Sequence, residues 1–226
     1  MKALLFTVLF AIPFYTGAAE LKTEKEKLSY SLGYQIAQSL KRDALDVDIE
    51  VLAAAMKAVL QDKKLALTPE EMQATVENFK KNAMEQREST GKKNQVEGKK
   101  FLDENKKKKG VKITSSGLQY KVIKEGSGKS PGKNDAVTVH YRGKLIDGTE
   151  FDSSYVRGKP TSFQVKQVIA GWQEGLQLMN VGSQYQFYIP SDLAYGETGA
   201  RGQIAPHATL VFDVELLEIK ENPHNR

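Results

Sequence analysis

The periodicity of this chain changes once, and the change falls at Gly110. From Thr23 to about Lys109 apolar residues recur at helical spacing, Pro69 is the sole proline and tryptophan is absent. From Gly110 onward glycines multiply, and β-branched and aromatic residues alternate with polar ones. A helical period does not suit a sheet, nor an alternating one a helix face. The chain is therefore expected to be a helical part followed by a strand-rich part.

Three helices fit the first part. Thr23 and Glu26 have the spacing of a capping box, and Leu28, Leu32, Ile36 and Leu40 follow at four-residue intervals. A second helix begins near Asp48 and offers Leu52, Met56, Val59 and Leu60. The third has the strongest start signal: Thr68 as N-cap, Pro69 at the first helical position and Glu71 to close the box. No proline follows until Pro131, so this helix is expected to run to about Lys108, a rod on the order of 60 Å long. Met72, Val76 and Phe79 mark an apolar face on its first half. Its second half is polar almost all round, which suits a solvent-bridging arm, with Gly91 and Gly98 as places where it can bend or break. The lysines at 106–109 read as cations at the negative end of that helix.

About 60 residues of short helices make a poor core for one chain, and self-association is the natural remedy. A homodimer built on this domain is expected, with Met56, Met72 and Met84 among its apolar residues.

The strand-rich part reads as antiparallel. Leu118, Tyr120 and Val122 alternate, as do Val137, Val139 and Tyr141, and Asp147-Gly148 marks a hairpin before Phe151. A short strand follows at 162–165. Trp172 to Met179 is the one helical stretch, with Trp172, Leu176 and Met179 on one side. Tyr185, Phe187 and Ile189 form a further strand, and Leu210, Phe212, Val214 and Leu216 share one face of the last. One helix against a curved antiparallel sheet is an α+β layout.

The N-terminus is set apart from both. Lys2, the apolar run from Ala3 to Tyr15 and the small residues before Glu20 have the layout of a secretory leader cleaved after Ala19. The expected division is thus a signal peptide over 1–19, a helical dimerisation domain over 20–84, a linker arm over 85–109 and a globular domain over 110–226. Cysteine is absent, so neither disulfides nor a lipid-bearing cysteine is available, and membrane association is at most peripheral. The formal net charge of +5 is modest, and with no nucleic-acid motif present a nucleic-acid partner is not expected.

The usual catalytic groups are missing. There is no thiol, no Gly-x-Ser-x-Gly elbow and no phosphate-cradling glycine loop, and His140, His207 and His224 are too few and scattered for a zinc site. Neither metal nor cofactor is implied. What remains is a set of aromatic and branched residues with sparse polar companions: Tyr141, Phe151, Asp152, Val168, Ile169, Trp172, Tyr195 and Phe212. They read equally as core packing and as the lining of an apolar pocket.

Four blocks resemble the FK506-binding-protein family of peptidyl-prolyl cis-trans isomerases: HYRGKLIDGTEFDSS from His140, VIAGWQEGLQLM from Val168, LAYGETG from Leu193 and PHATLVFDVELL from Pro206. KLSYSLGYQIAQSL from Lys27, ALTPEEM from Ala66 and GLQYKVI from Gly117 are similar to the Mip (macrophage infectivity potentiator) group within it. The resemblance implies rotation about X–Pro bonds in proline-containing polypeptides, inhibition by FK506 and rapamycin, and export to the periplasm, outer membrane or cell surface with a role in infection. It makes Tyr141, Phe151, Val168, Ile169, Trp172 and Phe212 the pocket walls, with Trp172 as the floor. It gives Tyr195 a hydroxyl contact and Ile169 an N–H contact to substrate carbonyls. Asp152 is placed to polarise the twisting amide, with Arg157 as its charge partner. The chain departs from human-type members at Thr161, Ala200 and Gln203, on the rim. A different function is a dimeric chaperone or adhesin whose pocket is incidental. On the isomerase reading, a fragment starting at Gly110 is expected to keep near-full activity on short peptides.

Overall fold

The computed structural model describes residues 21–42, 45–200 and 203–220. The leader expected at 1–19 lies outside the described residues, as does His224. Among the described residues no helix is long and apolar enough to cross a membrane.

The chain divides after Asp46 into two compact units. Helix α1 (Glu24–Arg42) belongs to the first. Its start is the expected capping box: the Glu26 N–H donates to Thr23 Oγ1 at 3.1 Å, and the Thr23 N–H donates to the Glu26 carboxylate at 2.9 Å. Leu28, Leu32 and Ile36 stand exposed along it. In the second unit, α2 (Ile49–Leu60) is capped by the Asp48 carboxylate, which accepts from Glu50 and Val51 N–H. Helix α3 (Pro69–Asn105) begins with the Thr68–Glu71 box and is continuous for 37 residues. Met56, Val59, Met72, Val76 and Phe79 are all exposed, so the apolar faces of α2 and of the first half of α3 are uncovered in a single chain.

The second half of α3 departs from expectation. It is docked against the strand-rich body instead of crossing solvent. Asn105 is fully buried, and its Nδ2 donates to Gln119 Oε1 at 3.0 Å while Gln119 Nε2 donates to the Leu102 carbonyl at 2.9 Å. Phe101 packs on Tyr188 with ring centroids 6.1 Å apart. Neither Gly91 nor Gly98 breaks the helix; both are buried where α3 touches the body. The helix ends at Asn105, not Lys108, and the lysines at 106–109 form the turn that follows.

The body is one antiparallel sheet. Its strands are β1 (Val111–Ile113), β2 (Gln119–Lys124), β3 (Ala136–Leu145), β4 (Glu150–Ser153), β5 (Thr161–Gln164), β6 (Gln184–Ile189) and β7 (Leu210–Lys220). The order is β1-β2-β6-β7-β3-β4, with β5 pairing the first half of β3 and β4 its second half. The short β1 was not foreseen from the sequence. Register shifts leave an extra residue at Ile123 in β2, Phe151 in β4 and Leu217 in β7, bulges that bend and twist those strands. The alternation on β3 holds as read: Val137, Val139 and Tyr141 face inward and their neighbours do not.

Helix α4 (Ala170–Gln177) packs on the inward face of the sheet, and the remaining helical pieces of the body are single 3-10 turns at 165–167, 191–193 and 196–198. The approach is close enough that a Cβ on Gly175 would stand 2.7 Å from the Phe187 ring. Leu118, Val137, Val139, Leu176, Met179, Phe187, Leu210 and Leu216 are fully buried between helix and sheet, and this is the apolar mass that stabilises the body.

Candidate active site

The cavity opens where the N-terminus of α4 leaves a gap beneath the sheet. Strand β3 supplies Tyr141, β4 supplies Phe151 and Asp152, β5 supplies Phe163, and β7 supplies Phe212. Val168 and Ile169 come from the segment entering α4, Trp172 from its first turn, and Tyr195 from the loop after β6. The enclosed volume is about 290 Å³.

Trp172 is 3% exposed and lines the cavity. Tyr141, Phe163 and Phe212 meet its ring nearly at right angles, with centroids 5.3, 5.6 and 5.2 Å away. Such edge-to-face contacts fix an aromatic plane by quadrupole as well as by shape. The indole Nε1 is buried and finds no hydrogen-bond partner among the described residues, so packing is what holds the ring.

The polar groups gather on one side of the cavity. The Tyr141 hydroxyl donates to Asp152 Oδ2 at 2.5 Å, and Arg157 forms an ion pair with Asp152 Oδ1. Arg157 Nη2 also donates to the Tyr141 hydroxyl at 2.8 Å and to Thr161 Oγ1 at 3.2 Å. Burial works against the Asp152 charge, but the Tyr141 hydroxyl and the guanidinium outweigh it and hold the carboxyl below the usual range. Tyr141 moves the other way, pushed up to about 12 by burial and then by its bond to Asp152. Tyr195 is raised by burial and by the Asp152 charge, and its side chain remains 39% exposed at the opening.

Eight of the nine residues singled out from the sequence line this cavity, and the ninth, Arg157, pairs with Asp152 beside it. Phe163 and Gln167 line it as well and were missed. Phe163 had a signal, since it is the single large apolar residue in a short strand; Gln167 had none. Thr161, read as a rim departure, holds the Arg157 guanidinium. Among the described residues no cluster of three or more His, Asp or Glu side chains is arranged to hold a metal.

A largely aromatic cavity with one paired carboxylate and no nucleophile suits non-covalent chemistry on a neutral planar group. The fold and the cavity together define a domain built around an apolar pocket at the N-terminus of α4. Residues 127–217 match the FKBP-type peptidyl-prolyl cis-trans isomerase family, and residues 25–122 match the domain amino terminal to FKBP-type peptidyl-prolyl isomerase. The chain is similar to the outer membrane protein MIP of Legionella longbeachae, 44% identical over 91% of this chain and 90% of that one. It is similar to the FKBP-type 22 kDa peptidyl-prolyl cis-trans isomerase of Escherichia coli, 45% identical over 87% and 96%. The crystal structure of FkpA from Escherichia coli superposes with a TM-score of 0.64 at 39% identity, covering 90% of this chain and all of that one. The chain belongs to the FKBP-type peptidyl-prolyl cis-trans isomerases, and within them to the Mip group.

Proposed function

We propose that this isomerase acts on X–Pro bonds of exported polypeptides, and that the cavity around Trp172 is where the bond turns. The barrier to rotation is about 18–20 kcal/mol because resonance keeps the amide planar and charge-separated. An apolar cup disfavours the planar form relative to the twisted one, whose charge is less separated. Lowering the barrier by about 5 kcal/mol speeds rotation by roughly four orders of magnitude. Trp172 serves as the floor for the proline ring, with Tyr141, Phe151, Val168, Ile169 and Phe212 as walls. The Tyr195 hydroxyl and the Ile169 N–H hold substrate carbonyls, and Asp152, oriented by Arg157 and Tyr141, polarises the twisting amide.

The observation that carries this assignment is the Tyr141–Asp152–Arg157 set at the edge of an otherwise apolar cavity. A protease-coupled assay on a proline tetrapeptide, repeated with rapamycin and FK506, tests it. Turnover that is abolished at one equivalent of macrolide supports the site, and turnover indifferent to saturating macrolide removes it.

The exposed apolar faces of α1, α2 and the first half of α3 support a homodimer formed by residues 20–84, carrying an isomerase body at 110–226. The Legionella relative is an outer membrane protein by name, which supports export towards the outer membrane for this chain too, and its membership of the Mip group supports a role in infection. Sedimentation velocity of residues 20–226 at micromolar concentration tests the dimer, and a compact monomer there refutes it.

A further inference from the structure

The half of α3 that docks on the body grips two stretches in particular, 195–200 and 206–209. The Arg87 guanidinium donates to the Thr198 carbonyl, and Asn94 Nδ2 donates to the Pro206 carbonyl at 2.8 Å. Gln95 Nε2 lies 3.2 Å from His207 Nδ1. Between these bonds the helix comes very close. A Cβ on Gly91 would stand 3.1 Å from Pro206 Cβ, and one on Gly98 would stand 2.4 Å from Thr209 Oγ1.

Both grips lead back to the cavity. The Tyr195 carbonyl accepts from the Gly199 N–H at 3.1 Å and from Thr198 Oγ1 at 3.2 Å. The Gly196 carbonyl accepts from the His207 N–H at 2.8 Å. His207 itself sits at φ +56, a left-handed conformation uncommon outside glycine. Arg87 thus braces Tyr195 through Thr198, while Asn94 and Gln95 brace Gly196 through Pro206 and His207.

We infer that the Arg87–Gly98 face of α3 is a positioning surface for the catalytic cavity: it sets the Tyr195 side chain at the cavity by holding residues 195–200 and 206–209. The helix that comes from the amino-terminal domain thereby forms part of the enzyme. This rests on the proposed role of Tyr195.

The test uses the full chain. On an ordinary helix, glycine to alanine strengthens the helix; at Gly98 it drives a methyl into Thr209. Gly98→Ala should lower kcat/KM on a proline tetrapeptide and weaken rapamycin binding, each by roughly three- to tenfold, since displacements of an ångström at a site have effects of that order or larger. Thr209→Ala in the same chain removes the obstructing Oγ1 and should restore both values. Should Gly98→Ala not fold, Asn94→Ala removes one loop bond without adding bulk and should shift both values in the same direction in a chain that still folds, its melting temperature lowered by a few degrees at most. Tyr195→Phe is the control. A normal Tyr195→Phe enzyme means that the site reading has failed. An impaired Tyr195→Phe enzyme beside normal Gly98→Ala and Asn94→Ala enzymes overturns the positioning role alone, as does a Gly98→Ala defect that Thr209→Ala leaves in place.

Discussion

The Tyr141 hydroxyl donates to Asp152 Oδ2 across 2.5 Å, and Arg157 bonds to both partners. Burial, an opposite charge and a short hydrogen bond thus fix the protonation of the cavity's carboxylate and of its innermost phenol. That arrangement bears on turnover, on pH dependence and on stability in different ways.

Turnover should depend on Asp152 and Tyr195 far more than folding does. The Asp152 and Arg157 side chains are 41% and 40% exposed, and ion pairs of that exposure contribute little to stability. Asp152→Leu and Tyr195→Phe should each lower kcat/KM at least about tenfold, some 1.4 kcal/mol of transition-state stabilisation, with melting temperatures close to the parent's. Full activity in both folded variants sinks the roles given to them.

The pH profile should be level. Asp152 is held below the usual carboxylate range and Tyr141 is pushed up to about 12, and neither described histidine lines the cavity. The Asp152 contribution to stability is present above its unfolded pKa of about 3.9 and is lost as pH falls through the lower folded value. The Tyr141 contribution is present below about 10 and is lost as pH rises towards about 12. Rate constants should therefore be flat between about pH 5.5 and 9. A limb near pH 6.5, measured in a direct assay free of the coupling protease, contradicts this and brings a histidine into the mechanism.

Trp172 is the single tryptophan, so its emission reports on the cavity without interference. Saturating rapamycin should shift or quench it. An unchanged spectrum, with binding confirmed by calorimetry, places the ligand elsewhere.

Gly143 lies on β3 with its missing side chain aimed at two cavity walls. A Cβ there would stand 2.7 Å from both the Phe151 and Phe212 rings. Gly143→Ala should cost about 1–3 kcal/mol of stability by overpacking and should also reduce turnover, because the strain falls on the walls themselves. Urea titration beside the peptide assay checks both; parent-like values in each remove the claim.

The docked half of α3 revises the expected behaviour of fragments. A chain cut before Gly110 loses the Asn105–Gln119, Gln119–Leu102, Asn94–Pro206 and Arg87–Thr198 bonds and the packing of Phe101 on Tyr188. It should be roughly 2–4 kcal/mol less stable than one cut before Lys80, from these hydrogen bonds, part of them exposed, and the aromatic contact. Equal denaturation midpoints and equal activities for the two fragments contradict the docking.

The helix starts at Thr23, Asp48 and Thr68, the inward face of β3 and the apolar members of the cavity other than Phe163 were legible in the sequence. Capping and amphipathic patterning are written in residue type at fixed spacing, and the four family blocks carried the rest. The face by which α3 docks was not legible. It is made of Arg87, Gly91, Asn94, Gly98 and Asn105, which hold by close approach and by amide hydrogen bonds, and neither leaves an apolar stripe. Hydrophobic periodicity records where apolar side chains are buried, so a contact built from absent side chains and backbone carbonyls reads as a polar helix in water. The hydrogen-bonding of Tyr141, Asp152, Arg157 and Thr161 into one set was likewise decided by tertiary structure. Those residues come from three strands and a turn, and only the pairing of β3 with both β4 and β5 brings them within bonding distance.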